Sequence, residues 1–320
     1  MKVMKFTLAI HGGAGTRRRE AMSPEAEAGY RTGLQHALMS GYRVLKEGGP
    51  ALEAVTKAVM ALEDDPQFNA GRGAVYTSAG THEMDAAVME GASRKAGAVA
   101  GVMGPRNPVL AARAVMERSE NVLLIGEGAM QFCREQGLAF KKAPYFATTE
   151  RFEALQAELE RRRVKGMDMR DDAAKHGTVG AVACDAGGNL AAATSTGGMT
   201  GKTPGRVGDC PVFGAGTWAD ESCAISATGH GEVFIRYAAA HEIASRMRLG
   251  KQSLAAAAEA VVAELGALGG SGGLIGVDAT GEVALPFNCT GMYRGRIGAD
   301  GIAWTGIYRE PLKAKELSAA

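Results

Sequence analysis

Residues 175–198 read KHGTVGAVACDAGGNLAAATSTGG, and this stretch decides how the rest of the chain is understood. Thr178, Val179, Ala181 and Ala183 open a run of small and β-branched residues, Asp185 to Asn189 has turn composition, and Leu190 to Thr196 runs back in kind. The pattern predicts a β-hairpin. If it is symmetric about Gly187, Thr178 stands opposite Thr196, with Cβ atoms roughly 4.5–5.5 Å apart and the hydroxyls in reach of each other. Paired threonines are common in strands, so the pair alone is not chemistry. The preceding residues change its meaning. Gly177 can take a backbone closed to other residues, and it follows a polar segment, 150–175, in which 14 of 26 residues are charged. That arrangement predicts a cleavage site after a solvated, flexible tether with a helical stretch near Phe152 to Glu160. Cutting before Thr178 would leave its hydroxyl beside its own α-amine, a nucleophile and base with a pKa near neutrality.

Working outward, Phe6 to Ile10 reads as a buried strand ending in His11-Gly12-Gly13-Ala14-Gly15. Ser23-Pro24 marks a helix start, with the helix running to about Lys46. A second helix spans Ala51 to about Leu62, with Leu52, Val55, Val59 and Leu62 on one stripe. Short β-type runs follow (AVYT, MDAAVM, AGAVAGV), then helical NPVLAARAVMER, extended NVLLIG and helical EGAMQFCREQG. After the hairpin come a strand at 224–227, one helix over about 232–249, another over 253–268, and a hairpin of LIGVD and EVALPF. Strands followed by helices on this scale predict a layered α/β sandwich.

Composition narrows the function classes. A net charge of +1, from 36 basic and 35 acidic residues, provides no electrostatic footprint for nucleic acid or an anionic membrane. No apolar run approaches a membrane span, and the N-terminal apolar run is shorter than a secretory leader requires. Cys133, Cys184, Cys210, Cys223 and Cys289 are odd in number and widely spread, which indicates neither a disulfide framework nor a zinc site and points to a reducing cytoplasm. Three motif matches fail on context. Gly269-x-Ser271-x-Gly273 has the form of a nucleophile elbow but sits between a helix and a strand in the wrong order. Gly201-Lys202-Thr203 lacks the earlier glycine of a phosphate loop, and His241-Glu242 lacks the second histidine of a zinc helix. His82 and His176 are isolated and read as structural or solvated.

HGTVGAVACD, TSTGGMTGKTPGRVGDCPVFGAGTWAD, SATGHGE, HGGAG and FNAGRGAVYT together resemble the plant-type asparaginase and isoaspartyl aminopeptidase family of N-terminal-nucleophile hydrolases. The resemblance covers nearly the whole chain, in order. It implies a four-layer αββα sandwich, made as a single-domain precursor over 1–320 and cut at Gly177–Thr178 into subunits of residues 1–177 and 178–320. It implies Thr178 as nucleophile, Thr196 as its positioning partner, the Thr228 hydroxyl and Gly229 amide as oxyanion donors, and Asn69 lining the site. Arg206 would take a substrate α-carboxylate. Asp209 and the Gly231 carbonyl would take its α-ammonium. The bland alternative for Arg206 and Asp209 is a surface ion pair. LEDDPQFNAGRG matches a family loop that wraps a structural sodium ion in carbonyls, here those of Leu62, Glu63, Asp65, Phe68, Ala70 and Arg72. No organic cofactor is implied. The implied substrates are L-asparagine and β-aspartyl dipeptides, and the implied assembly is a dimer of cleaved units. Glycosylasparaginase, which usually carries Asp before the nucleophile, and a non-catalytic binding protein on the same scaffold are the alternatives.

Overall fold

The computed structural model describes residues 6–16, 19–165 and 177–315. In chain order its elements are β1 (Thr7–Ala14), α1 (Pro24–Lys46), α2 (Ala51–Asp64), β2 (Met84–Glu90), β3 (Ala96–Val102), α3 (Pro108–Arg118), β4 (Leu123–Ile125), α4 (Gly126–Glu135) and α5 (Thr149–Lys165). After the junction come β5 (Val179–Cys184), β6 (Leu190–Thr196), β7 (Thr217–Ala219), β8 (Cys223–Gly229), α6 (Gly231–Tyr237), α7 (Ala239–Arg248) and α8 (Leu254–Ala267). The chain closes with β9 (Gly272–Asp278), β10 (Val283–Ala284), β11 (Met292–Gly298), β12 (Ala303–Gly306) and β13 (Lys313–Lys315).

Among the described residues the strands form two sheets: nine strands in the order β13-β12-β11-β1-β5-β6-β2-β3-β4, and four in the order β10-β9-β8-β7. Alternation along each strand explains the layering, because successive side chains leave opposite faces. In β5, Val179, Ala181 and Ala183 face one core with Leu34, Leu38, Val55, Val59 and Leu62 of α1 and α2, while Val182 and Cys184 face another with Ile275 and Val277 of β9. A third core lies outside the small sheet, where Ile225 and Leu274 meet Ile243, Val261 and Leu265 of α7 and α8. Helices, sheet, sheet and helices therefore stack as the expected four-layer αββα sandwich. Each fully buried aliphatic side chain contributes about 1.5–3 kcal/mol to holding the layers together.

The predicted start of α1 is realised, with the Ser23 side chain accepting from Ala26 N and Pro24 in the first turn. The β5–β6 register pairs Val179 with Ser195 and Cys184 with Leu190, so Thr178 and Thr196 come level at one end of the hairpin.

Three local expectations need correction. The helix expected near Phe152 to Glu160 of the tether is longer, running from Thr149 to Lys165, and the rest of the tether, 166–175, lies outside the described residues. Its charges are spaced to pair along the helix: Glu158 with Arg161 and Arg162, and Glu160 with Arg163, while Leu155 is buried beneath. The helix expected over 232–249 is two, because Ala238 takes a left-handed conformation (φ 51°) between α6 and α7. AVYT is not a strand; Thr77 makes only an isolated bridge to Lys202. β11 to β13, unread in the sequence, extend the large sheet beyond β1. His176 lies outside the described residues. His82 is structural: buried, with Nδ1 donating to Ala74 O at 3.0 Å.

Candidate active site

Thr196 is the last residue of β6, and Thr178 immediately precedes β5. Their hydroxyl oxygens lie 3.2 Å apart in a buried position. Thr196 Oγ1 accepts from Gly198 N at 2.9 Å and donates to Gly177 O at 2.9 Å. An amide can only donate and a carbonyl only accept, so the single Thr196 proton is committed to Gly177 O, and the bond between the hydroxyls must be donated by Thr178. Asn69 completes the group. Its Nδ2 donates to Gly177 O and Gly198 O, both at 2.7 Å, while Oδ1 accepts from Val75 N at 2.9 Å. The Val75 amide fixes which end of the side chain is which. Two preorganised donors thus converge on the carbonyl of the residue before Thr178. Position 177 has no room for a side chain: a Cβ there would sit 2.8 Å from Asn69 Cβ.

The other side of Thr178 is held by β1. His11, wholly buried, donates from Nδ1 to Thr178 O at 2.8 Å, which leaves Nε2 to accept from Ser226 Oγ at 2.9 Å. Burial lowers its pKa from 6.5 to about 3, so the ring is neutral and serves as a fixed hydrogen-bonding strut. Ser226 Oγ also lies 2.7 Å from Thr194 Oγ1, so the strut ties β1 and the nucleophile's backbone to both sheets. At Gly13, with φ 114°, β1 passes so close that a Cβ would meet Gly177 Cα at 3.0 Å.

A small recess opens beside this group, lined by residues that include Thr178, Thr196, Arg206, Asp209 and Gly229. Arg206 and Asp209 do not pair with each other by hydrogen bond. Arg206 forks onto Glu232, Nε to Oε1 at 3.1 Å and Nη2 to Oε2 at 3.0 Å. Asp209 is buried, its Oδ2 has no protein partner, and burial pushes its carboxyl up to about 7 against the pull of Arg206. An unpartnered buried carboxylate oxygen beside a guanidinium is what a zwitterionic ligand requires of its host. Gly231 opens α6 at the same place, where a Cβ would come within 2.9 Å of both Arg206 Nη2 and Asp209 Oδ1. Gly229 lines the recess, whereas Thr228 is fully buried behind it, its Oγ1 accepting from Ala14 N at 3.1 Å and keeping its proton free to donate.

The carbonyls of Leu62 and Glu63 belong to the last turn of α2, and those of Asp65, Phe68, Ala70 and Arg72 to the segment that follows it. That segment is folded on itself, with Ala70 N donating to Phe68 O and Gly73 N to Ala70 O. The Glu63 side chain points away, accepting from Ser195 Oγ at 2.7 Å and Val109 N at 2.8 Å, and burial raises its carboxyl to about 8. Arg72 places its guanidinium 5.7 Å from the centre of the Tyr145 ring.

His11, Ser226, Glu232 and Asp85 are members of the site that the sequence reading did not assign. Asp85 stands opposite Thr196 in the β2–β6 register, its Oδ1 accepting from Gly101 N and its carboxyl raised by burial. His11 and Glu232 lay inside motifs already singled out, HGGAG and SATGHGE, and a buried polar residue next to a glycine run was the signal available.

Comparison with known proteins agrees with this geometry. The asparaginase family profile matches residues 4–307. The chain is 55% identical to the isoaspartyl peptidase of Salmonella typhimurium over 96% of its own length and 99% of the relative's. It is 53% identical to the isoaspartyl peptidase of Escherichia coli, over 96% and 97%, and 42% identical to the plant-type L-asparaginase of Pyrococcus abyssi, over 89% and 94%. With Thr178 bonded to Thr196, Thr196 donating to the Gly177 carbonyl, and a family match over nearly its whole length, the chain belongs to the asparaginase family of N-terminal-nucleophile hydrolases.

Proposed function

We propose that this chain is a self-cleaving amidohydrolase that converts L-asparagine to L-aspartate and ammonia and removes β-aspartyl residues from dipeptides. The observation that carries the reading is the convergence of Asn69 Nδ2 and Thr196 Oγ1 on the carbonyl oxygen of Gly177, with the Thr178 hydroxyl bonded to the same Thr196. Thr178 Oγ attacks the Gly177 carbonyl carbon, and the charge developing on its oxygen meets two donors already in place, each contributing about 2.7–4 kcal/mol to the rate. The Gly177 C–N bond breaks, the Thr178 nitrogen takes up a proton, and water hydrolyses the resulting ester. The freed α-amine then serves as base for its own hydroxyl.

In the mature site the same hydroxyl attacks the side-chain carbonyl of an aspartyl unit, with Thr228 Oγ1 and Gly229 N as oxyanion donors. Arg206 holds the α-carboxylate, and Asp209 and the Gly231 carbonyl hold the α-ammonium. The unpartnered Asp209 oxygen supports this, since a bound ammonium supplies the partner the protein omits. Arg206 must share or leave Glu232 to do its part. The glycosylasparaginase reading is disfavoured because an aspartate at position 177 would collide with Asn69.

The same reading carries three lesser expectations. A structural sodium ion would be held by the carbonyls of Leu62, Glu63, Asp65, Phe68, Ala70 and Arg72. The fit is supported at Gly71 and Gly73, where a Cβ would lie 2.5 Å from Glu63 O and 2.1 Å from Phe68 O, so glycine keeps side chains off those oxygens. Two cleaved units would associate as a dimer, which native mass spectrometry tests. A cytoplasmic place accords with five cysteines that are all buried and free.

Substrate assays test the central reading. β-Aspartyl-leucine and asparagine should both be hydrolysed, α-aspartyl-leucine should not, and Arg206→Leu should lose both activities together. Release of leucine from the α-linked peptide at the rate of the β-linked one contradicts the assignment of the two clamps.

A further inference from the structure

We propose that Arg151, on the helix leading toward the cleavage site, is a positioning residue that holds Asn69 on the Gly177 carbonyl. The proposal rests on the role given above to Asn69 in self-cleavage. Asn69 sits in the loop between α2 and the Gly71–Gly73 turn, and its side chain has no slack: both amide hydrogens and the carbonyl oxygen are engaged. A small displacement of this loop therefore costs the Gly177 contact directly. Short bonds within the loop shape it, but none of them ties it to the outer layer of the molecule.

Arg151 supplies that tie. Its Nε donates to Gly73 O at 2.9 Å and its Nη2 to Gln67 O at 3.0 Å, so one planar guanidinium bridges two carbonyls on either side of Asn69. The fork is itself anchored. Arg151 N donates to Thr148 Oγ1 at the start of α5, Leu155 is buried one turn on, and Arg162 Nη1 donates to Gly201 O at 2.7 Å in the loop beyond Thr196. The helix thus braces from outside the loop that carries Asn69 and the loop that follows Thr196. Lysine, with one donor centre and no fork, cannot span both carbonyls.

The test follows self-cleavage of the full-length chain, made in a cell-free reaction and quenched at intervals for intact-mass measurement. Wild type, Arg151→Ala, Arg151→Lys, Asn69→Ala and the Asn69→Ala/Arg151→Ala double variant are compared. Misplacing a reacting group by an ångström costs on the order of 10²-fold, so Arg151→Ala should slow cleavage by about 10- to 100-fold, and Arg151→Lys, which keeps the charge and guards against a folding failure, should restore little of it. If Arg151 acts through Asn69, the double variant cleaves within about threefold of Asn69→Ala alone. A merely structural helix contact gives multiplied effects instead. Multiplied effects, or an Arg151→Ala rate within about twofold of wild type, overturn the proposal while leaving the Asn69 role intact. Asn69→Ala cleaving as fast as wild type overturns that role, and the present proposal with it.

Discussion

Thr196 Oγ1 lies 3.2 Å from Thr178 Oγ1 and 2.9 Å from Gly177 O, and its bond from Gly198 N leaves only one direction for each proton. The Thr178 proton points at Thr196, and the Thr196 proton points at the carbonyl. Thr178 lone pairs are thereby kept clear of that contact.

Thr196→Val preserves shape and removes the relay. Self-cleavage and kcat on asparagine should each fall by about 10²-fold or more, as when other preorganised donors are lost, while Thr196→Ser should retain most activity. A Thr196→Val rate within about threefold of wild type contradicts the relay.

His11 should make the fold sensitive to acid. Its pKa is lowered from 6.5 to about 3, so between those values the unfolded chain binds more protons than the folded one. Stability from this group is complete above pH 6.5 and is lost as pH falls toward 3. His11→Phe should be destabilised at pH 7, since Thr178 O and Ser226 Oγ lose a buried partner at about 1–3 kcal/mol each, and should shed part of the acid sensitivity. Urea midpoints at pH 7 and pH 5 decide the matter. An unchanged pH dependence in the variant speaks against a neutral His11.

Asp209 works in the opposite direction. Burial raises its carboxyl from 3.8 to about 7, so in that window the folded chain holds the extra proton, and stability declines as pH rises through it. Asp209→Asn should therefore melt higher than wild type at pH 8, with the gap closing toward pH 4, while hydrolysis is lost. Thermal midpoints paired with activity assays check this, and an Asn variant less stable than wild type at pH 8 contradicts it.

The hairpin is legible in the sequence because its register follows from two short runs about one turn, which sets Thr178 opposite Thr196. Sites formed by distant segments were less so. Asn69 and Arg206 were reachable through motif resemblance, but the fork of Arg206 onto Glu232 depends on the path of a glycine-rich loop that no periodicity describes. Helix α5 is legible near Phe152 to Glu160 but not to its full length, because a count of charges cannot distinguish a solvated coil from Glu158 and Glu160 paired with arginines three and four residues on. Ala238 interrupts its helix with nothing in its residue type to announce it.

The central claim is that Thr178 becomes the nucleophile when the chain cuts itself before it. Intact-mass measurement of freshly made protein, followed in time beside the asparagine assay, tests this most directly. The account predicts two fragments, one ending at Gly177 and one beginning at Thr178, with activity rising in step with the cut and Thr178→Ala remaining whole and inactive. A wild-type chain that stays full length yet hydrolyses asparagine at its full rate would contradict it.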